Sequence, residues 1–151
     1  MLTFTFSDET TVTIPSASPV ETPFDIPTPE INSSAQQEFD NHNTNANLVK
    51  DVSLKEIELT ITSPDGKTFS FLEDVSLFIS TEGEDEVKIA YREDIPADAE
   101  SIALETTDAT LDPYIKAESY SLRTEATTKE LLTKDVDVRI NLDFEVTADP
   151  L

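Results

Sequence analysis

The chain has 151 residues, the size of one ordinary domain, which is enough to bury a single hydrophobic core without disulfides. Its formal net charge of −22 excludes nucleic-acid binding through phosphates and disfavours docking on anionic lipids, because both depend on clustered lysine and arginine. The absence of cysteine excludes disulfides, thiol catalysis and thiolate metal sites.

The N-terminal residues alternate in polarity. Leu2, Phe4 and Phe6 share one face, and after Asp8-Glu9 the alternation resumes and continues to Pro15. This pattern predicts either one strand or a loose hairpin.

Five prolines follow between residues 15 and 29. Proline cannot donate to a sheet ladder, so they predict an extended arm or an edge. We expect residues 1–31 to form a strand and arm that belong to one domain with residues 32–151.

One short helix is predicted near residues 33–40. Ser33 or Ser34 can cap it, with a glutamine three residues on to close a capping box. The asparagine-rich run at 41–45 favours turns and ends the helix.

From Val52 onward the chain is predicted to form strands. The inward phase changes between Leu54 and Ile57, which predicts a bulge near Lys55-Glu56. Residues 63–67, Ser-Pro-Asp-Gly-Lys, form a strong turn signal, and we expect Thr68 to Leu72 to return as the second arm of a hairpin.

Two alternating segments, 75–79 and 87–91, flank an acidic turn at 82–86, and a short helical turn is predicted at 112–117. The last strand is the clearest, since six apolar residues from Val136 to Val146 alternate with polar ones. Short strands separated by turns predict an all-β fold, an antiparallel β-sandwich that is immunoglobulin-like or a related Greek key.

The sequence shows no catalytic pattern. His42 is the only histidine, it is flanked by asparagines in a predicted turn, and the residues around it form no recognisable catalytic pattern. Carboxylates are so numerous that no pair stands out, and there is no tryptophan to form a sugar platform. We therefore expect no enzyme and no catalytic residues.

The acidic turn is the one candidate for an ion site. Glu82, Glu84, Asp85 and Glu86 offer clustered oxygens of the kind calcium prefers, although their spacing is not that of an EF-hand. The alternative is a solvated turn that blunts a sheet edge with charge. No other cofactor is predicted, and the second functional hypothesis is a calcium-dependent adhesion or carbohydrate-binding module.

No apolar run reaches the length of a membrane span. The N-terminus as written has neither the basic nor the apolar region of a signal peptide. An exported form would carry its targeting segment upstream.

Several runs resemble a family of small exported bacterial lipoproteins: Leu48–Val52, Leu59–Phe69, Asp112–Ala117 and Phe144–Leu151. The resemblance covers about residues 22 to 151. It implies a non-enzymatic domain in the cell envelope, facing the periplasm or the exterior. It also implies a lipid anchor upstream of these residues.

We expect a protein or glycan partner of unknown identity. We also expect a monomer or a weak dimer, because an exposed edge strand such as Leu2–Phe6 can pair with another chain.

Overall fold

The alternating segments fold as strands in a computed structural model that describes residues 1–151. Apolar residues at every second position give each strand one dry face and one wet face. The strands are β1 (Leu2–Ile14), β2 (Phe24–Ile26), β3 (Ile31–Asn32), β4 (Val49–Ser63), β5 (Leu72–Thr81), β6 (Glu84–Arg92), β7 (Ser101–Ala103), β8 (Glu105–Thr106), β9 (Ser119–Thr128) and β10 (Val136–Ala148). The helices are α1 (Ala35–Asn41) and α2 (Asp112–Lys116), and single 3₁₀ turns occur at Ala46–Leu48 and Phe69–Phe71.

The strands form two antiparallel sheets. Sheet A has the order β1-β10-β4-β7, and sheet B has the order β2-β9-β5-β6-β8, with β3 also paired to β9. The predicted all-β sandwich is therefore confirmed. Strand β10 lies inside sheet A between β1 and β4, which explains why its alternation is the clearest in the sequence.

The core fills the space between the sheets and consists of one cluster of 38 buried apolar residues. Phe144, Ile140 and Leu142 of β10 are fully buried in it, and Leu77 and Ile79 of β5 face them from sheet B. A cavity of about 10 Å³ remains beside Val12 and Ile26. That volume is about one water molecule, so the sandwich encloses no ligand-sized space.

The N-terminal segment is one strand and not a hairpin. Strand β1 pairs with β10 without a register shift, from Leu2 opposite Ala148 to Ile14 opposite Val136. Asp8 keeps the inward phase of its apolar neighbours and is 7% exposed. A carboxylate therefore lies between the sheets.

The predicted bulge in β4 is confirmed. Asp143 lies opposite Glu56 and Phe144 lies opposite Leu54, which leaves Lys55 as the extra residue. Gly66 has the left-handed backbone expected for its turn, with a φ of 76°.

The predicted return of Thr68–Leu72 as a hairpin arm is wrong. Phe69–Phe71 is a 3₁₀ turn that crosses between the sheets, and the next strand, β5, belongs to sheet B. Phe69 and Phe71 are both buried, because at this crossing they pack into the core between the sheets. Either a hairpin arm or a crossover would bury Phe69 and Phe71, so the local sequence pattern does not distinguish the two structures.

A bulge in β6 moves one residue that the alternation predicts to be buried into a half-exposed position. Leu77 pairs with Ala90 and Phe78 pairs with Lys88, so Ile89 and Ala90 are both buried. Tyr91, which the alternation aligns with Val87 and Ile89, is displaced to a half-exposed position. The single-residue shift is characteristic of a bulge.

The short helix predicted near 33–40 is present as α1, and the turn predicted at 112–117 is present as α2 with Pro113 in its first turn. Ser34 occupies the N-cap position of α1, but its side chain makes no capping bond. Ser33 Oγ accepts from the Ala35 N–H instead. Neither helix is long or apolar enough to cross a membrane.

Candidate binding edge at strand β1

The sandwich has four sheet edges, and they differ in how they are protected. Strands β7, β8, β2 and β3 are edge strands of only two or three residues. Pro27 and Pro29 interrupt the chain between β2 and β3. Strand β1 is an edge of 13 residues with no proline, lysine or bulge. Short edges and prolines discourage pairing with other chains, whereas a long regular edge invites it.

The opposite edge of sheet A is covered by its own chain. Beyond the short β7, the Leu104 N–H donates to the Ile57 carbonyl at 3.0 Å, and the Leu111 N–H donates to the Val52 carbonyl at 3.0 Å. The Asp112 carboxylate accepts from the Val52 N–H at 2.8 Å. This side of the sheet therefore presents only the short β7 as an edge, whereas the other side presents the long strand β1.

The backbone groups that β1 presents to the open side belong to its odd-numbered residues. The Ser7 carbonyl accepts from Ser34 Oγ, which lies on the side away from β10. The Thr13 hydroxyl donates to the Asp137 carboxylate at 2.7 Å, the close side-chain contact typical of pairs that exchange no backbone bonds. Residues two apart point the same way, so Glu9, Thr11 and Thr13 direct their N–H and C=O groups outward. No backbone bond outside the β10 ladder involves them.

A buried polar link secures the middle of this edge. The Tyr120 hydroxyl on β9 donates to Asp8 Oδ2 at 2.8 Å. Asp8 Oδ1 accepts from the Ser34 hydroxyl and from the Ser34 N–H. The carboxylate therefore joins both sheets and the start of α1 at one point, and its buried charge is satisfied by three donors.

The environment of Tyr120 favours its protonated form. Burial raises the pKa of the phenol far above its ordinary value of about 10, and the negative charge of Asp8 and the hydrogen bond to it act in the same direction. The phenol thus stays a donor throughout the ordinary pH range. This keeps the link between the sheets intact.

The outer face of sheet A beside the edge is mainly negative. Among the outward positions of β1 and β10 there is one cation, Arg139, which lies opposite Thr11. The carboxylates in the same rows are Glu9, Asp137, Asp143 and Glu145. Only Glu145 among them is in an ion pair, with Lys55 Nζ at 3.0 Å. The edge therefore has a negative potential, of the same sign as the net charge of −22 on the whole chain.

Arg139 does not neutralise this face by direct pairing. No carboxylate lies within 4.0 Å of its guanidinium, and its Nε is buried without a hydrogen-bond partner. The carboxylates of Glu9, Asp137 and Asp143 are therefore left without an ion-pair partner.

The acidic turn predicted as a calcium candidate lies at the β5–β6 hairpin, at the other side of the molecule from β1. Glu82, Glu84, Asp85 and Glu86 are all exposed. Glu86 is held by Arg123 Nη2 at 2.9 Å, and the Asp85 carbonyl accepts from the Tyr114 hydroxyl at 2.6 Å. The structure brings together no group of three acidic or histidine side chains suited to a metal ion. Calcium binding there stays the alternative hypothesis.

Arg123 is the centre of a second surface network, on the outer face of sheet B. Its guanidinium lies 4.1 Å from the centre of the Phe78 ring, and it also pairs with Asp25 and Glu125. These bonds raise the pKa of Arg123 above its ordinary value, chiefly through Glu86 and then Asp25. One ring face of Phe78 is covered by this cation, so it is less available to stack on a sugar.

His42 ends α1 and has a packing role. Its ring stacks on Phe4 with 4.0 Å between ring centres, and Nδ1 lies 2.9 Å from the Glu38 carbonyl. These contacts tie the helix end to β1.

The link of Asp8, Ser34 and Tyr120 was missed by the pattern analysis. One signal was available, because Asp8 is the only charged residue in the inward phase of this strand. Its partners lie 26 and 112 residues away, and no local pattern connects them.

Comparison with known proteins provides no family. No protein-family model and no curated protein matches the chain. Among solved structures, it is similar to a chain of tomato aspermy virus, with 9% identity over 91% of this chain and 76% of that chain and a TM-score of 0.33. It is also similar to a chain of Desmodium yellow mottle tymovirus, with 16% identity over 100% and 84% and a TM-score of 0.30. Similarities this remote do not bear on function.

Proposed function

We propose that this chain is a non-enzymatic binding domain of the bacterial cell envelope. A segment of a partner protein would pair with strand β1 of this domain. The observation that supports this proposal is that Glu9, Thr11 and Thr13, on a 13-residue edge strand, direct backbone N–H and C=O groups outward without a partner in the fold. An added strand gains main-chain hydrogen bonds without any need for a deep pocket.

The edge is also rigid enough to act as a template. The unbroken β10 ladder holds it on one side, and the contacts of Asp8 and His42 hold it from within. A preordered strand loses little conformational freedom when a partner binds, which favours affinity. We keep the immunoglobulin-like or related Greek-key topology as part of this proposal, since the first and last strands lie side by side.

The test places a photo-crosslinking amino acid at Thr11 in the cells that produce the protein. We expect an adduct of one defined mass in the envelope fraction. The control places the same group at Thr60, an outward position of β4 away from the open edge. No adduct at Thr11, or equal adducts at both positions, would overturn the proposal.

A second variant separates strand pairing from simple proximity. Thr11→Pro removes an outward N–H, so it should abolish the adduct formed by a crosslinker placed at Thr13. Its circular dichroism spectrum should remain that of the parent protein, because this N–H bonds nothing in the fold. An adduct that persists with Thr11→Pro indicates contact through side chains alone and contradicts strand addition.

A further inference from the structure

We infer that the occupant of this edge is an extended, cationic segment of another protein, paired alongside Glu9–Thr13. This inference rests on the proposed function and specifies the partner. It follows from the position of Ser34, from the charges beside the edge and from the charge of the whole chain.

Ser34 divides the edge. Its backbone and hydroxyl lie against Ser7 and Asp8, so an added strand cannot pass continuously along β1 at that point. Beyond it, Glu9, Thr11 and Thr13 are exposed, and each presents one N–H and one C=O. These three residues can pair with a partner segment of about five residues, because only alternate residues of a strand form hydrogen bonds with the same neighbouring strand.

The side chains around this half of the edge favour basic residues, because the carboxylates of Glu9, Asp135 and Asp137 outnumber its one cation, Arg139, which lies opposite Thr11. Glu9 lies on the edge, and Asp137 lies opposite Thr13 on the same outer face. The Asp135 carboxylate accepts the Ser16 N–H at the end of β1. Outward side chains of an added strand would lie next to Thr11 and Thr13, where lysine or arginine can reach these carboxylates. Its inward side chains would continue the apolar row of Val12 and Ile14.

A second copy of the chain is disfavoured by charge. Two copies would each bring a net charge of −22 and would place like-charged faces side by side. A basic segment is attracted by the same field, and its association should depend on ionic strength.

The probes are three short labelled peptides that alternate valine with lysine, with threonine or with glutamate. Fluorescence anisotropy with the full chain should give an affinity at least about 10-fold higher for the lysine peptide than for the glutamate peptide. That advantage should shrink several-fold at about 0.5 M salt. Glu9→Gln and Asp137→Asn should each weaken lysine-peptide binding about threefold, whereas the control Glu118→Gln should not.

Each alternative result is distinct. If the threonine peptide binds as well as the lysine peptide, the charge preference is wrong and edge pairing itself survives. If no peptide binds, this inference is overturned, while crosslinking at Thr11 still decides the proposed function. If sedimentation shows a dimer that Thr11→Pro dissociates, the occupant is a second copy and the inference is wrong.

Discussion

The hydroxyl of Tyr120 on β9 lies 2.8 Å from Asp8 Oδ2 on β1, so one hydrogen bond joins the two sheets at the side where sheet A is open. Both residues are buried, at 1% and 7% exposure. A polar link in an apolar core stabilises only while all its members are satisfied. Substitution of either Tyr120 or Asp8 should therefore produce a measurable loss of stability.

Substitution at this link should lower the free energy of unfolding. We expect Tyr120→Phe to cost about 1–2 kcal/mol and Asp8→Ala about 2–4 kcal/mol, since the second change leaves a buried phenol and hydroxyl without their acceptor. Urea unfolding measures both. The double variant should cost less than the sum of the single variants, and simple additivity would show that the bond contributes nothing. Tyr91→Phe, at a half-exposed position outside this link, is the control.

Tyr120 should also make the protein sensitive to alkali. Its folded pKa is raised, chiefly by burial, so the unfolded chain loses this proton at a lower pH than the folded protein does. The stability that Tyr120 contributes is thus complete below about pH 10 and falls above it, by up to about 1.4 kcal/mol per pH unit. Denaturant midpoints measured against pH should show this decline, and Tyr120→Phe should reduce it. Part of the decline should remain, because the pKa values of Tyr91 and Tyr114 are raised as well, chiefly by a hydrogen bond to Glu105 and by burial respectively. An equal decline in both proteins would assign the effect to other groups.

Arg123 should stabilise sheet B through its network. Arg123→Ala removes a cation shared by Asp25, Glu86 and Glu125 and uncovers Phe78. We expect a loss of about 1–2 kcal/mol that decreases in high salt, because the partners are partly exposed. Arg123→Lys should recover only part of it, since lysine lacks the two adjacent donors, Nε and Nη2, that bond Glu86. A loss independent of salt would indicate packing alone, and Lys134→Ala serves as the surface control.

Proline placed at successive positions tests which amide groups of β1 face outward. Thr11→Pro should change stability by less than about 1 kcal/mol, whereas Val12→Pro should cost about 3 kcal/mol or more because its N–H bonds β10. Thermal unfolding measures the pair. The reverse order would mean that the even-numbered residues face the open side.

Calcium should stabilise the protein no more than other salts do. Glu86 is held by Arg123, and screening of the −22 charge accounts for a general increase in melting temperature. Melting temperatures in calcium, in EDTA and in sodium chloride of matched ionic strength test this. A specific increase with calcium that is lost in Glu84→Gln and Asp85→Asn would support the calcium-dependent alternative.

The strands and their faces were largely predictable, because burial of one face imposes an alternation that the sequence records directly. Strand β10 and the bulge at Lys55 are examples. The distribution of strands between sheets was not predictable, as Phe69 and Phe71 show, since a hairpin and a crossover bury the same residues. The role of Asp8 depended on Tyr120, 112 residues away, and only the folded chain brings the two together.

The antiparallel pairing of the first and last strands has a geometric consequence for attachment. Leu2 lies opposite Ala148, so both chain ends leave the domain from one corner. Thr13 lies at the far end of the same strand, about 37 Å away at about 3.4 Å per residue. A tether joined at that corner would project the Glu9–Thr13 segment outward, away from whatever surface holds the domain.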